Sequence, residues 1–478
     1  MSFYRQSRSW PHSLPQRFRL VLASFLQRPG LPFADVITEE SIQTAFDDEG
    51  VSFADDEDAV YTPAITLWAF LSQVLFKGEQ RSCIPAVLRV SVLLVALERG
   101  PCSGNTGAYC RARSKLSETV IRRLAVDVAD GCERQLDAKW LWHGRHVYLV
   151  DGTTVSMPDT PENQEAYPQP SQQQEGLGFP IARVVVRLSW ATGMLADMAM
   201  GPYTGKETGE TALLRQLLGR FKPGDILLAD RYYCSYFMIA TLMELGVDFV
   251  TRVHQRREVD FRRGRRLGKG DHVVRWTRPE KPEWMDQQTY DRMPASIQIR
   301  EIQVQAGQPG FRTDSFVVVT TLMDAGEYTK DDVAQLYHDR WLVELDICAI
   351  KITLGMDILR CKTPEMVRKE MWTCLLAYNL IRQTMLQAAH GSNLSPRRLS
   401  FTAAMQSIAA SWLVIVLSDE PVAARLIEAA LENLTGHIIG NRPGRVEPRA
   451  VKRRPKPHNL LTKPRNQARA ELLAGKSP

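Results

Sequence analysis

Short apolar runs alternate with amphipathic stretches in the middle of the chain. The run "HVYLVDGTTV" predicts a buried β-strand that delivers Asp151 at its end, and "IARVVVRLSW", the turn "ATG" and "MLADMAM" predict a hairpin. An amphipathic helix, "ETGETALLRQLLGRF", precedes a second buried strand, "DILLAD", that ends at Asp230. A helix from about Ser235 and the strand "VDFVTRV" follow. This order predicts an α/β domain built on a mixed sheet.

A second β-rich stretch interrupts that domain. Residues 252–313 include the strand-like runs "DHVVRWTR" and "SIQIREIQVQ", and "SFVVVTTL" then resumes the apolar pattern. We therefore expect residues 141–390 to form one domain with a β-rich insertion at 252–313.

Helical patterns flank the sheet domain on both sides. The N-terminal region, residues 1–140, includes "SCIPAVLRVSVLLVALERG" and a helix capped by Ser117, "SETVIRRLAVDVADGCERQL". Between them, "CSGNTGAYCRARSKL" fits either a turn of a DNA-reading helical module or a solvated loop. The pattern of residues 391–440 predicts further helices, which are a candidate dimerisation region. Residues 441–478 are expected to form a basic, Pro-rich tail.

The stretch "LYHDRWLVELDICAIKITLG" places four polar side chains in an apolar helical run. These are Tyr337, Arg340, Glu344 and Lys351. On a regular α-helix they fall within an arc of about 60°, with apolar residues on both flanks and Asp346 on the far side. Such a helix is expected to be largely buried, so that the polar stripe faces a cleft. The alternative is a helix laced with salt bridges.

The positive charge of the chain is concentrated in two places. The net charge is only +6, but residues 441–478 contain eleven Lys/Arg against two Glu. Residues 252–278 contain ten Lys/Arg against three acidic residues. Local clustering of this kind favours a polyanionic partner such as nucleic acid.

Other features exclude several classes of protein. The eight cysteines contain no CxxC pair, which favours reduced core residues over a zinc site or a disulfide framework. No signal peptide is evident, and the uncharged stretch 399–418 is rich enough in Ser to favour a buried helix over a membrane span. No P-loop or Rossmann glycine pattern is present, so no nucleotide cofactor is expected. These features predict a soluble, cytoplasmic protein.

Three carboxylates are candidates for chemistry: Asp151, Asp230 and Glu344. Ends of neighbouring strands lie close together, so the two aspartates are expected to be neighbours. Carboxylates are hard oxygen ligands that suit Mg²⁺, and a pair of such ions supports phosphoryl displacement. Taken singly, an Asp at a strand end is more often a turn former or a helix cap.

The motifs around these carboxylates resemble those of a known family. The spacing Y-x2-R-x3-E-x6-K, with "VDGTTVSMPD", "ILLADRYY" and "RWLVE", resembles the insertion sequence 4 family of bacterial DDE transposases. The resemblance runs from about Thr62 to Arg465. It implies an RNase H-like catalytic core with a β-strand insertion, flanked by N-terminal and C-terminal helical regions. Some relatives have a further acidic residue where this chain has "DRYYCSY", so contacts around Asp230 do not transfer in detail.

The resemblance also implies roles for individual residues. The implied catalytic and metal-binding triad is Asp151, Asp230 and Glu344, with two Mg²⁺ ions for which Mn²⁺ can substitute. The implied phosphate-binding residues are Tyr337, Arg340 and Lys351. Relatives that form hairpin DNA ends flip a base onto an insertion tryptophan while a second aromatic probes the gap. Trp341 matches the probing position, and both Trp276 and Trp284 are candidates for stacking.

The implied activity is DNA cleavage and strand transfer at the ends of a mobile element. The implied partners are double-stranded DNA, as terminal inverted repeats and target, and a second copy of the chain in a synaptic complex. We expect a nucleoid-associated bacterial protein that needs no membrane and no nucleotide cofactor. Two alternatives stay open: a site-specific, metal-dependent DNA nuclease of the same fold, and a domesticated DNA-binding protein without catalysis. We expect residues 1–140 to bind the DNA ends.

Overall fold

The computed structural model describes residues 18–51, 53, 59–79, 81–305, 315–440 and 460–474. The chain divides into two compact units. The helical unit comprises Met1–Gly144, Leu188–Asp197 and Glu344–Ile439. The sheet unit comprises Arg145–Arg187, Met198–Val343 and Gly440–Pro478. Most of the predicted basic tail, residues 441–459 and 475–478, lies outside the described residues.

Within the described residues, nine strands form one sheet. They are β1 (Val147–Ser156), β2 (Ile181–Ser189), β3 (Leu195–Pro202), β4 (Ile226–Ala229), β5 (Asp248–Arg252), β6 (Arg265–Gly268), β7 (Asp271–Thr277), β8 (Ser296–Gln305) and β9 (Ser315–Thr320). The spatial order is β3-β2-β1-β4-β5-β9-β8-β7-β6. Strand β4 runs parallel to β1 and β5, while the pairs from β5 through β9, β8 and β7 to β6 are antiparallel. The predicted mixed α/β sheet is therefore confirmed.

The strands of the predicted insertion extend the core sheet. β6, β7 and β8 lie between β5 and β9 in sequence, and they continue the sheet beyond β9 in space. Sequence pattern alone does not distinguish this arrangement from a separate small sheet, because both present the same alternation. Residues 306–314, at the end of the predicted insertion, lie outside the described residues.

The longest of the described helices belong to the helical unit. In chain order they are α1 (Arg19–Ser24), α2 (Glu39–Asp48), α3 (Pro63–Leu75), α4 (Cys83–Ala96), α5 (Gly107–Lys115), α6 (Glu118–Arg134), α7 (Pro161–Ala166), α8 (Glu210–Leu217), α9 (Tyr236–Glu244), α10 (Gln287–Arg292), α11 (Lys330–His338), α12 (Leu342–Cys348), α13 (Pro364–Ser392), α14 (Phe401–Leu417), α15 (Glu420–Thr435) and α16 (Arg465–Leu473). Helices α7 to α11 and α16 belong to the sheet unit, and the unit boundary falls inside α12.

Helix α13 is the core of the helical unit. It is buried along most of its length and packs against α3, α6, α14 and α15. The cap predicted for α6 is confirmed, since the Ser117 side chain accepts a hydrogen bond from the Val120 N–H. The stretch "CSGNTGAYCRARSKL", expected as a turn or loop, includes the regular helix α5.

The stretch predicted as a buried helix rather than a membrane span contains α14. Its residues Ile408, Trp412 and Ile415 are buried. Among the described residues, no helix is long and apolar enough to cross a membrane.

Candidate active site

Two aspartates follow paired residues of two parallel strands in the sheet unit. Val150 of β1 is aligned with Ala229 of β4, and Asp151 and Asp230 are the next residues along the chain. Neighbouring strands lie about 4.8 Å apart. The strand register therefore places these two predicted residues side by side.

The local backbone at the two aspartates differs, and one expectation is wrong. Asp151 was expected at a strand end, but β1 continues through it to Ser156. Only β4 stops, at Ala229, and Asp230 then caps a short 3₁₀ turn by accepting a hydrogen bond from the Tyr232 N–H at 2.7 Å. The apolar run of β1 ends at Val150, but its β-branched residues beyond that point still favour an extended backbone.

Asp151 is a half-buried carboxyl with several charged neighbours. Burial raises its pKa to about 6, and the negative charges of Asp230 and Glu210 act in the same direction. The Gly152 N–H donates to Oδ1 at 2.8 Å, and Arg340 Nη1 lies 3.7 Å from Oδ2; both contacts favour the ionised form. A cation bound beside Asp151 would therefore relieve an unfavourable concentration of negative charge.

Glu210, the first residue of α8, also lies at this site, although its sequence context does not identify it. Burial raises its pKa, and the charge of Asp230 raises it further. The Tyr233 hydroxyl donates to Glu210 Oε2 at 3.3 Å. A Cβ on Gly152 would lie 2.2 Å from the Glu210 carboxyl carbon, so this approach requires a glycine directly after Asp151. Glu210 therefore contacts the segments that follow both aspartates.

A sequence signal for Glu210 was present but ambiguous. The stretch "ETGETALLRQLLGRF" reads as an ordinary amphipathic helix with acidic residues at its start, where they favour the helix dipole. The informative residue was Gly152, because a glycine inside a strand often marks a close approach by another group.

The donor set in the sheet unit fits a hard divalent cation. Mg²⁺ usually retains several waters and binds through one or two carboxylates, which Asp151 and Asp230 can provide. Within the described part of the chain, no three His, Cys, Asp or Glu side chains are grouped closely enough to hold an ion together. The predicted set of three carboxylates around two ions thus stays a prediction.

The sequence predicts one regular helix for the segment with the four-residue signature. The structure shows that this prediction is wrong. Tyr337 lies in α11, Arg340 in a 3₁₀ turn, Asp339–Trp341, and Glu344 in α12. Lys351 lies in a π-helical turn, Ala349–Thr353. A 3₁₀ turn is tighter and a π turn wider than an α-helix, so the arc of about 60° calculated for a uniform helix does not apply. Leu345 and Ile352, on one expected apolar flank, are exposed.

Three residues of this segment belong to the sheet unit. Arg340 is the residue that pairs with Asp151. Tyr337 is half-buried with its ring 5.5 Å from that of Phe316, and burial raises the pKa of its hydroxyl. Trp341 is 43% exposed, so it is not an ordinary core tryptophan. These positions leave Arg340 and Trp341 accessible for contact with a ligand.

The two insertion tryptophans differ in accessibility. Trp276 is 3% exposed, its indole N–H donates to Glu301 Oε1 at 3.1 Å, and the Arg257 guanidinium lies 3.7 Å from its ring centre. Trp284 is 41% exposed and has Arg215 4.0 Å from its ring centre. In this structure Trp276 is a packed residue that offers no face for stacking, and Trp284 is the better candidate.

Glu344 and Lys351 belong to the helical unit. Glu344 is exposed in the first turn of α12, and Lys351 is half-buried. Asp346, two residues after Glu344, is completely buried. The exposed position of Glu344 agrees with a ligand-binding role and equally with a solvated helix residue.

Comparisons with known proteins identify the family. The family model described as the transposase DDE domain matches residues 142–380. Transposase InsG of insertion sequence element IS4 from Escherichia coli (strain K12) is 27% identical over 309 residues, which cover 62% of this chain and 64% of that relative. The chain thus matches less than two thirds of this relative's length. The transposase of insertion sequence element IS421 from Escherichia coli is 37% identical over 65 residues, 14% of this chain and 18% of that relative.

A solved structure gives a much weaker likeness. It is a piggyBac transposase synaptic complex with hairpin DNA, with 9% identity and a TM-score of 0.42 over 93% of this chain and 89% of that one. This likeness is too low to support an inference about the present chain. The family model instead spans half of the chain and includes Asp151, Asp230 and Glu344. The predicted RNase H-like fold and the predicted transposase family are therefore confirmed: this chain belongs to the DDE-domain transposase family, and its likeness to the transposase of element IS4 agrees with the predicted insertion sequence 4 type.

Proposed function

We propose that this protein is a DNA transposase that cuts the ends of an insertion sequence and joins them to target DNA. The observation that supports this most directly is the strand register that sets Asp151 beside Asp230. Two adjacent carboxylates on a sheet are suited to hold divalent cations at a phosphate. Members of the family generally use divalent metal ions.

Asp151, Asp230 and Glu344 form the proposed catalytic triad, and two Mg²⁺ ions are the proposed cofactors. Mg²⁺ held by these carboxylates would supply activation of the attacking oxygen and neutralisation of charge on the leaving oxygen. The two aspartates provide hard oxygen ligands from neighbouring strands. Glu344 would add a third carboxylate from α12.

The proposed phosphate contacts come from the signature segment. The Arg340 guanidinium, which lies 3.7 Å from the Asp151 carboxylate, can donate to a phosphate beside that residue. Tyr337 and Lys351 would donate further hydrogen bonds to the DNA backbone. These contacts orient the scissile phosphate for in-line attack and do not read sequence.

Cleavage and joining share one reaction type. In cleavage, a water oxygen loses a proton to solvent as it attacks the scissile phosphorus, the bond from phosphorus to the 3′ oxygen breaks, and that oxygen takes up a proton to become a 3′-OH. In joining, the 3′-OH oxygen loses its proton as it attacks a phosphorus of the target, the bond from that phosphorus to its 3′ oxygen breaks, and the leaving oxygen takes up a proton. A hairpin intermediate would form if the 3′-OH first attacked the opposite strand of its own end. One in-line geometry serves every step.

Basic surfaces support double-stranded DNA as the partner. The side chains of Arg262 and Arg263 in the insertion are 90% and 84% exposed, and the two arginines share one carboxylate partner, Asp260. Exposed cations of this kind bind phosphates and release counterions. Pairing of two ends further suggests a homodimer assembled on DNA in a synaptic complex, with residues 391–440 as the proposed dimerisation region.

One experiment separates the proposed function from its alternatives. The inverted repeats that flank the gene are supplied as labelled duplexes with target DNA and Mg²⁺. A transposase yields joined products, a site-specific nuclease yields cut ends only, and a non-catalytic binding protein yields a gel shift without cutting. Absence of joined products under conditions that give a gel shift would contradict the proposed function.

A further inference from the structure

Asp346 is a fully buried carboxylate in α12, the helix that contains Glu344. Its side chain is 0% exposed and lies between two arginines of the helical unit. Arg397 Nη1 donates to both carboxylate oxygens at 2.7 Å, and Arg382 Nη2 donates to Oδ1. We name these three residues the Asp346 cluster. Both oxygens of the buried carboxylate have donors, as a buried charge requires.

The cluster connects α12 to two other parts of the helical unit. Arg397 also donates to the backbone carbonyls of Ser189 and Trp190, at 2.7 and 2.8 Å, in the turn between β2 and β3. The Tyr378 hydroxyl of α13 donates to the carbonyl of Gly193 in the same turn at 2.6 Å. A Cβ at Gly193 would lie 2.7 Å from Arg397 Nη1, so the turn packs directly on the cluster.

Helix α12 is a short α-helical segment inside a continuous helical run, residues 330–353, and its buried side chains are those of Val343 and Asp346. It has seven residues, and it is preceded by a 3₁₀ turn and followed by a π turn. A 3₁₀ turn and a π turn have different numbers of residues per turn from an α-helix, so the tertiary contacts of α12 determine the direction of its side chains. Leu345 on the same helix is exposed, which leaves the buried side chains, Asp346 among them, to anchor it.

We infer that the Asp346 cluster positions Glu344 for its role in the proposed reaction. The two residues are separated by about 200° around the helix, so holding Asp346 inside fixes the direction of Glu344 outside. Asp346 and the two arginines are positioning residues that act through Glu344. This inference rests on the proposed function, in which Glu344 is one of three catalytic carboxylates.

The competing explanation is that the cluster only stabilises the fold. A matched pair of variants distinguishes the two. Asp346→Glu keeps the charge and the arginine partners but adds one methylene, which shifts α12 against its anchor. Asp271→Glu makes the same change in a buried ion pair of the insertion, where Arg300 contacts the aspartate oxygens at 2.9 and 2.6 Å.

The measurements are thermal unfolding, gel shift with transposon ends, and the rate of end cleavage against Mg²⁺ concentration. Asp346→Glu should fold and bind DNA but cleave about a hundredfold more slowly, since a displacement of about 1 Å has such an effect on catalysis. It should also require more Mg²⁺ for half-maximal cleavage. Asp271→Glu should cleave at the parent rate with the parent Mg²⁺ dependence, whatever its effect on thermal unfolding.

Arg397→Lys provides a second test if Asp346→Glu does not fold. Lysine keeps the positive charge but cannot donate to the carboxylate and to both carbonyls together, so the cleavage rate should fall and the Mg²⁺ requirement should rise. The inference is overturned if the folded variants cleave like the parent, or if Asp271→Glu loses cleavage to the same extent for an equal loss of thermal stability. If the parent protein itself does not cleave, the proposed function fails instead.

Discussion

The two aspartates and the glutamate of the proposed triad are held in place by different means. Asp151 and Asp230 follow aligned residues of parallel strands, so backbone hydrogen bonds set their spacing. Glu344 lies on a short helix between irregular turns, and its orientation depends on the buried ion pairs of Asp346. Backbone register tolerates side-chain changes, whereas an ion cluster fails when one partner changes. Substitutions of the aspartates should therefore change the negative charge available to Mg²⁺. Substitutions in the Asp346 cluster should change the orientation of Glu344.

The largest expected effect comes from removing the charge of either aspartate. Asp151→Asn and Asp230→Asn keep the side-chain size, and the strand register should keep both residues in place. Cleavage and joining should fall to the level of a protein-free control, because a neutral amide binds Mg²⁺ poorly. The temperature of thermal unfolding should not fall for Asp151→Asn, because the raised pKa of Asp151 means that the fold disfavours its ionised form. Retained cleavage in a folded variant would contradict the site.

A second prediction tests whether side-chain packing also matters on the sheet side of the comparison. The Cβ of Gly152→Ala would collide with the Glu210 carboxyl, so this flexible side chain must move to a less favourable position, at a cost in unfolding free energy of about 0.5–1.5 kcal/mol. Cleavage should fall because the Glu210 carboxyl is displaced beside Asp151. In the double variant Gly152→Ala/Glu210→Ala, the shortened side chain at position 210 leaves room for the new Cβ. The double variant should therefore recover part of the stability lost by Gly152→Ala.

A double-mutant cycle in thermal unfolding and cleavage measures this coupling, with Glu210→Ala alone as the control. Strictly additive effects of the two substitutions would show that Glu210 does not occupy the space over Gly152.

The smallest effect on cleavage is expected at the two insertion tryptophans, which differ by assay. Trp276→Ala should lower the unfolding free energy by about 3–5 kcal/mol, because it removes a buried ring. Trp284→Ala should leave thermal unfolding nearly unchanged. If a flipped base stacks on Trp284, the Trp284→Ala substitution should slow second-strand cleavage by a factor corresponding to about 1–3 kcal/mol. If Trp284→Ala cleaves the first strand and the second strand at the same rates as the parent does, Trp284 does not belong to the proposed site.

The sequence predicted what depends on local pattern. The buried strands that precede Asp151 and Asp230 follow from apolar runs, and their adjacency follows from strand pairing. The four-residue signature identified the family, but its uniform helix was wrong because 3₁₀ and π turns leave no clear sequence pattern.

Other features depend on partners distant in sequence. The Asp346 cluster joins residues 36 and 51 positions apart, so periodicity could place Asp346 on the far side of the helix but could not name its partners. The choice between Trp276 and Trp284 depends on tertiary burial, which the sequence leaves open. Glu210 was hidden for the same reason, because only the fold brings it over Gly152.

If Glu344 completes a catalytic set with the two aspartates, Glu344→Gln should abolish the chemistry. The amide keeps the size and helix propensity of glutamate but loses the charge needed to hold Mg²⁺. The matched control is Glu365→Gln, in the first turn of α13, where the glutamate side chain is 63% exposed and pairs with Lys369.

The measurement is a Mg²⁺-dependent cleavage and joining assay beside a gel shift with transposon ends, with thermal unfolding as the fold control. Glu344→Gln should fold and bind DNA but neither cut nor join, while Glu365→Gln should match the parent in all assays. If Glu344 only formed surface ion pairs, its amide would cost about 0–1 kcal/mol of stability and leave the chemistry intact. A folded Glu344→Gln protein that cuts DNA at the parent rate would show that Glu344 is not a catalytic residue.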